Sequence, residues 1–137
     1  MKVLILFTRQ FSYTTAEKNL PELPDISESR EFSNSLLAFI QVETEDEQND
    51  ILSREKKLVN HLKWAARKNS CNQIILHSFA HLSESKATID FTRSVFDAAQ
   101  QRLENAGYDV AQTPFGYFLD LKIDAPGFSL ARIWATL

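Results

Sequence analysis

The chain has 137 residues, 44% hydrophobic and 24% charged, with three glycines, four prolines and a formal net charge of −3. That is enough apolar mass for the core of one domain, and it excludes a collagen-like fibre, a disordered tail and a disulfide scaffold, because Cys71 has no second cysteine to pair with. The acidic balance does not suggest a surface built for sequence-independent nucleic-acid binding, whose affinity usually comes from a basic excess. Any nucleic acid handled here is expected to meet a local basic patch or a pocket for its end.

Residues 2–7 contain the apolar run Val3-Leu4-Ile5-Leu6-Phe7. It is far short of the roughly 20 residues of a membrane helix and predicts a buried strand. With no secretory cleavage pattern and one unpaired cysteine, the expected compartment is the cytoplasm, with no membrane contact. A second extended piece includes Phe11 and Tyr13, which alternate with polar neighbours. Pro21 and Pro24 then exclude regular helix from Asn19 to Asp25 and mark a loop. Ser35 to Val42 predicts a central strand, ending in the acidic run Glu43-Thr44-Glu45-Asp46-Glu47, which predicts a loop.

From Asn49 to Asn69, Ile51, Leu58, Leu62, Ala65 and Ala66 recur at three- and four-residue intervals and predict an amphipathic helix capped by Asn49 or Asp50. Its basic residues fall mostly on the other faces and cluster toward the C-terminal end, where the helix dipole favours them. His61 is expected to be exposed there. Cys71 reads as a small core residue before a short buried strand, Ile74-Ile75-Leu76. A polar turn, His77–Ser85, leads into a second helix from about Ser85 to Ala106, with an inward stripe of Ile89, Val95, Phe96, Ala99 and Leu103. Gly107 stands where a left-handed C-terminal cap belongs. Tyr108–Ala111, Tyr117–Ile123 and Ser129–Thr136 predict three closing strands. The order βββαβαβββ defines an α+β fold of one domain over residues 1–137.

The chemistry-bearing residues are few. His77 and His81 are four apart, a spacing that on a helix can place two rings on a metal. The segment follows a strand, however, and no further Cys/His pair or neighbouring glutamate completes a ligand set, so no metal is expected. Ser78, Ser83, Ser85 and Asp90 surround His81, but no Gly-x-Ser-x-Gly elbow is present, and serines in such turns commonly cap helices. Three glycines cannot write a P-loop or a dinucleotide fingerprint, and no cofactor is expected.

Four segments nonetheless carry a resemblance. The strand MKVLILF, the strand LLAFIQVE (Leu36–Glu43), the turn SFAHLS (Ser78–Ser83) and the string TPFGYF (Thr113–Phe118) fall in the order and approximate spacing of the editing domain at the N-terminus of archaeal threonyl-tRNA synthetases. The chain resembles that family over nearly its whole length. The resemblance implies a D-aminoacyl-tRNA deacylase-like fold, a mixed sheet or barrel of about seven strands with two packed helices. It also implies a homodimer that hydrolyses serine wrongly attached to threonine tRNA, binding the 3′ end of the aminoacyl-tRNA. Serine lacks only the methyl of threonine, and one methyl discriminates by about 1–3 kcal/mol, so a second, hydrolytic sieve is needed. Backbone groups and the tRNA's own 2′-hydroxyl are implied to carry much of the reaction.

The implied substrate-binding positions are Val42, Glu43, Ala80, His81, Phe115, Gly116, Tyr117, Phe118, Leu119 and Arg132, with His81 the candidate catalytic residue. The match is partial. Leu119 stands where the family has its main functional lysine, Phe118 where it has a tyrosine, and Arg132 aligns with a family glutamate near the pocket. A more apolar pocket is therefore expected, with a preference for a side chain less polar than serine or with no catalysis. Two readings follow: a free-standing deacylase acting in trans, with or without a separate threonyl-tRNA synthetase as partner, or a catalytically silent binding or dimerisation module.

Overall fold

The two most apolar stretches of the sequence form the middle of the sheet. In the computed structural model, which describes residues 1–137, β1 (Lys2–Lys18) and β2 (Ser29–Gln41) pair antiparallel from Lys2 opposite Gln41 to Thr14 opposite Ser29. Alternation sends Val3 and Ile5 to one face with Leu36, Ala38 and Ile40, while Leu37 and Phe39 point to the other. Around Asn34, whose φ of 49° lies in the left-handed region, this alternation reverses. Phe11, Tyr13 and Phe32 therefore join Leu37 and Phe39 in a second, smaller core.

β3 (Gln73–Ser78) and β4 (Asp109–Gln112) continue the sheet parallel to β2, giving the order β4-β3-β2-β1-β5. The far edge of β1 is shared. β6 (Arg132–Thr136) pairs with Lys2–Leu6, and β5 (Tyr117–Asp124) pairs with Gln10–Lys18. One 17-residue strand thus serves two successive neighbours and curls the sheet into a half-barrel.

The parallel steps are bridged by α1 (Ile51–Lys68) and α2 (Ile89–Asn105). Leu58, Val59 and Leu62 of α1 and Val95, Phe96, Ala99 and Leu103 of α2 are fully buried between helices and sheet. Each such side chain contributes about 1.5–3 kcal/mol by leaving water. Asp50 caps α1 by accepting from Ser53 N, and Thr88 caps α2 by accepting from Phe91 N. Gly107 (φ 93°) ends α2, with Tyr108 N donating to Leu103 O and Gly107 N to Glu104 O, the paired bonds of a left-handed cap.

The α+β class and the two packed helices are as the sequence predicts. The strand count is six rather than about seven, because the two pieces expected within residues 2–18 are one continuous strand. β2 begins at Ser29, six residues earlier than expected, because the polar segment before Ser35 pairs with the second half of β1. α2 begins at Ile89 rather than Ser85, since the intervening backbone bonds to Gln41 and Val42 at the end of β2 and to the side chains of Thr44 and Glu47 in the acidic segment. Ser129–Ala131 is a 3-10 turn that leaves only Arg132–Thr136 as strand, and the acidic run forms another such turn at Thr44–Gln48. Ile51 and Ile89, expected inward, are exposed at the first helical positions. His61, expected outside, is half-buried and stacked on Trp64, and burial lowers its pKa.

Candidate functional site

β2 and β3 run parallel, so their C-terminal ends open on the same side, the position at which α/β sheets commonly bind ligands. A cavity of about 360 Å³ lies there. Ile40, Gln41 and Val42 form one part of its wall, and His77 to His81 the next. The N-terminal approach to α2 contributes Lys86, Ala87, Ile89 and Thr92, and the segment Pro114–Leu119 closes the opposite side. Ile40, Val42, His77 and Thr92 are buried and form the floor, whereas Ala80, His81, Lys86 and Phe118 are exposed at the mouth.

The turn after β3 is fixed by β2. Phe79 N donates to Ile40 O and Ala87 N to Val42 O, both at 3.0 Å, so the turn leaves and returns along the end of that strand. Between those points Gln41 does most of the holding. Its Oε1 accepts from Leu82 N and Ser83 N at 2.7 Å each, and its Nε2 donates to Ser83 O and Ser85 O at 2.8 Å each. Ser83 Oγ donates to Glu43 at 2.7 Å and accepts from Ser85 N. The Ala80 and His81 N–H groups have no partner in the chain, and both residues are exposed where they line the cavity.

Glu43 is part of this support. Burial opposes its charge, but bonds to the Met1 amino group and to Ser83 outweigh that and hold its pKa below the ordinary carboxylate value. Two of the serines expected near His81 are thus committed elsewhere, Ser83 to Glu43 and Ser85 to Glu45, while Ser78 lines the cavity without a side-chain bond to His81. His81 makes no side-chain hydrogen bond, and its ring packs on Phe79 with centroids 4.9 Å apart. No Ser–His–Asp relay is assembled.

The opposite wall is held by packing. Thr113 N donates to Leu76 O, and Phe115 seats its ring edge-on against Phe96, with Arg93 over its face. Gly116 has φ 82°, and a Cβ there would lie 2.4 Å from Leu23 Cδ1, so this turn accepts only glycine without displacement. Tyr117 spends its hydroxyl on the loop before β2, donating to Pro24 O and accepting from Ile26 N. Leu119 packs with Leu121 against the second core.

His77 and Thr92 are the polar side chains on the floor, and His77 is the titratable one. It is 7% exposed, and its Nδ1 lies 2.8 Å from Thr113 Oγ1. Phe39 and Phe79 flank its ring at centroid distances of 5.3 and 5.7 Å. Burial pushes its pKa down to about 4, so the imidazole is neutral at pH 7. Lys86 is the only lysine, arginine or acid on the wall. No group of three or more His, Cys, Asp or Glu side chains is arranged to hold a metal ion.

Of the residues picked out in the sequence, the cavity brings together Val42, Ala80, His81, Phe115, Gly116, Tyr117, Phe118 and Leu119. Glu43 faces Ser83 and Met1 behind the wall, and Arg132 lies on β6 outside the cavity. The sequence reading missed Gln41, Lys86 and His77 as wall residues. Gln41 leaves one signal, a polar side chain at the end of the apolar run LLAFI; Lys86 leaves none.

A half-barrel with a ligand-sized cavity at its parallel strand ends, walled by the Ala80-His81 turn and the Phe115-Gly116 turn, defines the editing-domain class. The family described as the Archaea-specific editing domain of threonyl-tRNA synthetase matches residues 1–137, and the chain belongs to it. The threonine–tRNA ligases of Thermococcus sibiricus and Thermococcus onnurineus are each 30% identical to it, and that of Pyrococcus furiosus 29%. Each alignment takes in 100% of this chain and 22% of the ligase, so the chain spans about a fifth of the length of these relatives.

Proposed function

We propose that this domain hydrolyses the ester joining a wrongly attached amino acid to the 3′-terminal adenosine of a tRNA, as an aminoacyl-tRNA deacylase acting in the cytoplasm. One observation carries the reading: the two turns that bear the family resemblance, far apart in sequence, wall a single cavity with Val42. The threonine–tRNA ligase relatives favour seryl-tRNA for threonine as the substrate. Attack of water on the ester carbonyl places negative charge on its oxygen. The unpartnered amides of Ala80 and His81 are the donors on the wall suited to that charge, a service worth about 10²–10³ in rate for one donor in other enzymes. His81 acts at the mouth, as a donor or acceptor to the attacking water or to the adenosine.

The same reading extends to action in trans, on tRNA charged by a separate threonyl-tRNA synthetase. A homodimer is supported by the sheet face that no helix covers, where Trp134, 54% exposed, stands opposite Leu4 in the β1–β6 register. Leu119 favours a second reading, binding without hydrolysis, because it makes the β5 wall apolar where the family has a lysine.

The deciding experiment measures release of amino acid from seryl-, alanyl-, glycyl- and D-aminoacyl-tRNA. The expected result is turnover of at least one of them, reduced about tenfold or more by His81→Ala. Leu119→Lys is expected to raise seryl-tRNA hydrolysis. No turnover by the wild type or by the lysine variant, with tRNA-end binding retained, would leave the binding module as the function.

A further inference from the structure

Of the two polar side chains on the cavity floor, Thr92 spends its hydroxyl proton on Thr88 O, and the other is left unused by the Ala80–His81 amides and the mouth residues. His77 sits at the end of β3, more than nine-tenths buried, with Nδ1 held by Thr113 and its second ring nitrogen without a partner in the chain. That nitrogen is not sealed off, since the fully buried side-chain nitrogens lacking a partner are those of Arg54 and His61 only. A buried polar atom left unpaired is costly, so such a site is complete only when a ligand or water bonds to it.

We infer that His77 is the group that reads a hydroxyl on the side chain of the bound aminoacyl ester, making it the specificity-determining residue of the cavity. This rests on the editing reading above and deepens it. Three features favour the assignment. His77 belongs to the floor, while exposed Ala80, His81 and Phe118 ring the mouth, so the aminoacyl side chain reaches His77 and the ribose remains outside. A neutral imidazole presents a donor or a lone pair depending on which way the Thr113 bond runs, and a hydroxyl complements either. An ammonium or carboxylate side chain finds no counter-charge on the floor, since Lys86 is exposed. An analogue without the hydroxyl leaves His77 unpaired, and sites built around such a bond reject those analogues strongly.

The test uses equilibrium binding of two non-hydrolysable probes, 3′-(L-seryl)amino-3′-deoxyadenosine and its alanyl counterpart, to wild type, His77→Phe and His77→Gln. Phenylalanine keeps an aromatic ring between Phe39 and Phe79, and glutamine restores a hydrogen-bonding end. The wild type is expected to prefer the seryl probe. His77→Phe is expected to weaken the seryl probe about tenfold while changing the alanyl probe less than twofold, and His77→Gln to recover part of the loss. Equal weakening of both probes, or no change with either, overturns the assignment while leaving the editing reading intact. A wild type that binds neither probe overturns the editing reading itself, and this inference with it. Thermal unfolding of each variant shows whether weakened binding reflects a damaged fold.

Discussion

The two walls of the cavity are built on different principles. The turn after β3 is a hydrogen-bonded object: Gln41 alone spans four backbone groups of residues 82–85, and Glu43 holds Ser83 from behind. The β5 side is a packed object, held by Phe115 against Phe96, by the glycine-only turn at 116 and by Leu119 in the second core, with Phe118 left 48% exposed. Hydrogen-bonded walls fix where donors point, and packed walls fix shape while letting side-chain identity drift. The departures at Phe118 and Leu119 fall on the packed wall, and the Ala80-His81 match falls on the bonded one.

Breaking the bonded wall is expected to have the largest effect. Gln41→Leu keeps much of the side-chain volume but strands two N–H and two C=O groups in a half-buried turn. At about 1 kcal/mol for each bond, partly recovered by water, the domain should lose about 2–4 kcal/mol in urea unfolding. Deacylation should fall at least as far as it does in His81→Ala, since the Ala80 and His81 amides lose their fixed direction. A variant with unchanged stability would show that the turn holds itself without Gln41.

The contrast also explains what was legible in the sequence. Periodic apolar residues gave both helices, and Asp50 and Gly107 gave two of their ends, because those signals are local. The single 17-residue β1 was not legible. Its polar second half is strand only because β2 and β5 pair with it, and those partners are distant in the chain. The site divided in the same way. Ala80, His81, Phe115 and Gly116 were found through their motifs, while Gln41 and His77 carry roles set by what lies across a strand end. The expectation of a more apolar pocket considered only the β5 wall; His77 and Thr92 put polar groups on the floor.

The floor between the walls is tested by pH. Burial lowers the His77 pKa from 6.5 to about 4, so as pH falls through that window the unfolded chain takes up a proton that the folded chain refuses. Stability therefore declines between about pH 6.5 and 4, by at most about 3 kcal/mol at 1.36 kcal/mol for each pH unit, and this contribution is fully lost below. His61 shifts in the same direction, so the measurement is the difference between wild type and His77→Phe across the window. The variant should show a visibly shallower decline. Parallel curves would mean that water reaches the ring and supports its charge.

The smallest structural effect is expected at the packed wall's outer edge. Phe118 is 48% exposed on a strand that pairs only with β1, and Phe118→Ala should change unfolding free energy by no more than about 0.5 kcal/mol. Its effect on the substrate should be larger than its effect on the fold. An exposed aromatic at the mouth of a cavity that receives a nucleotide end is placed to stack a base, and such stacking contributes about 1–3 kcal/mol for each base. The expected outcome is a KM for aminoacyl-tRNA raised at least fivefold with kcat nearly constant, because the contact lies outside the reacting ester. A fall in kcat at constant KM would move Phe118 from the mouth into the reaction, and the packed wall would then be as chemically committed as the bonded one.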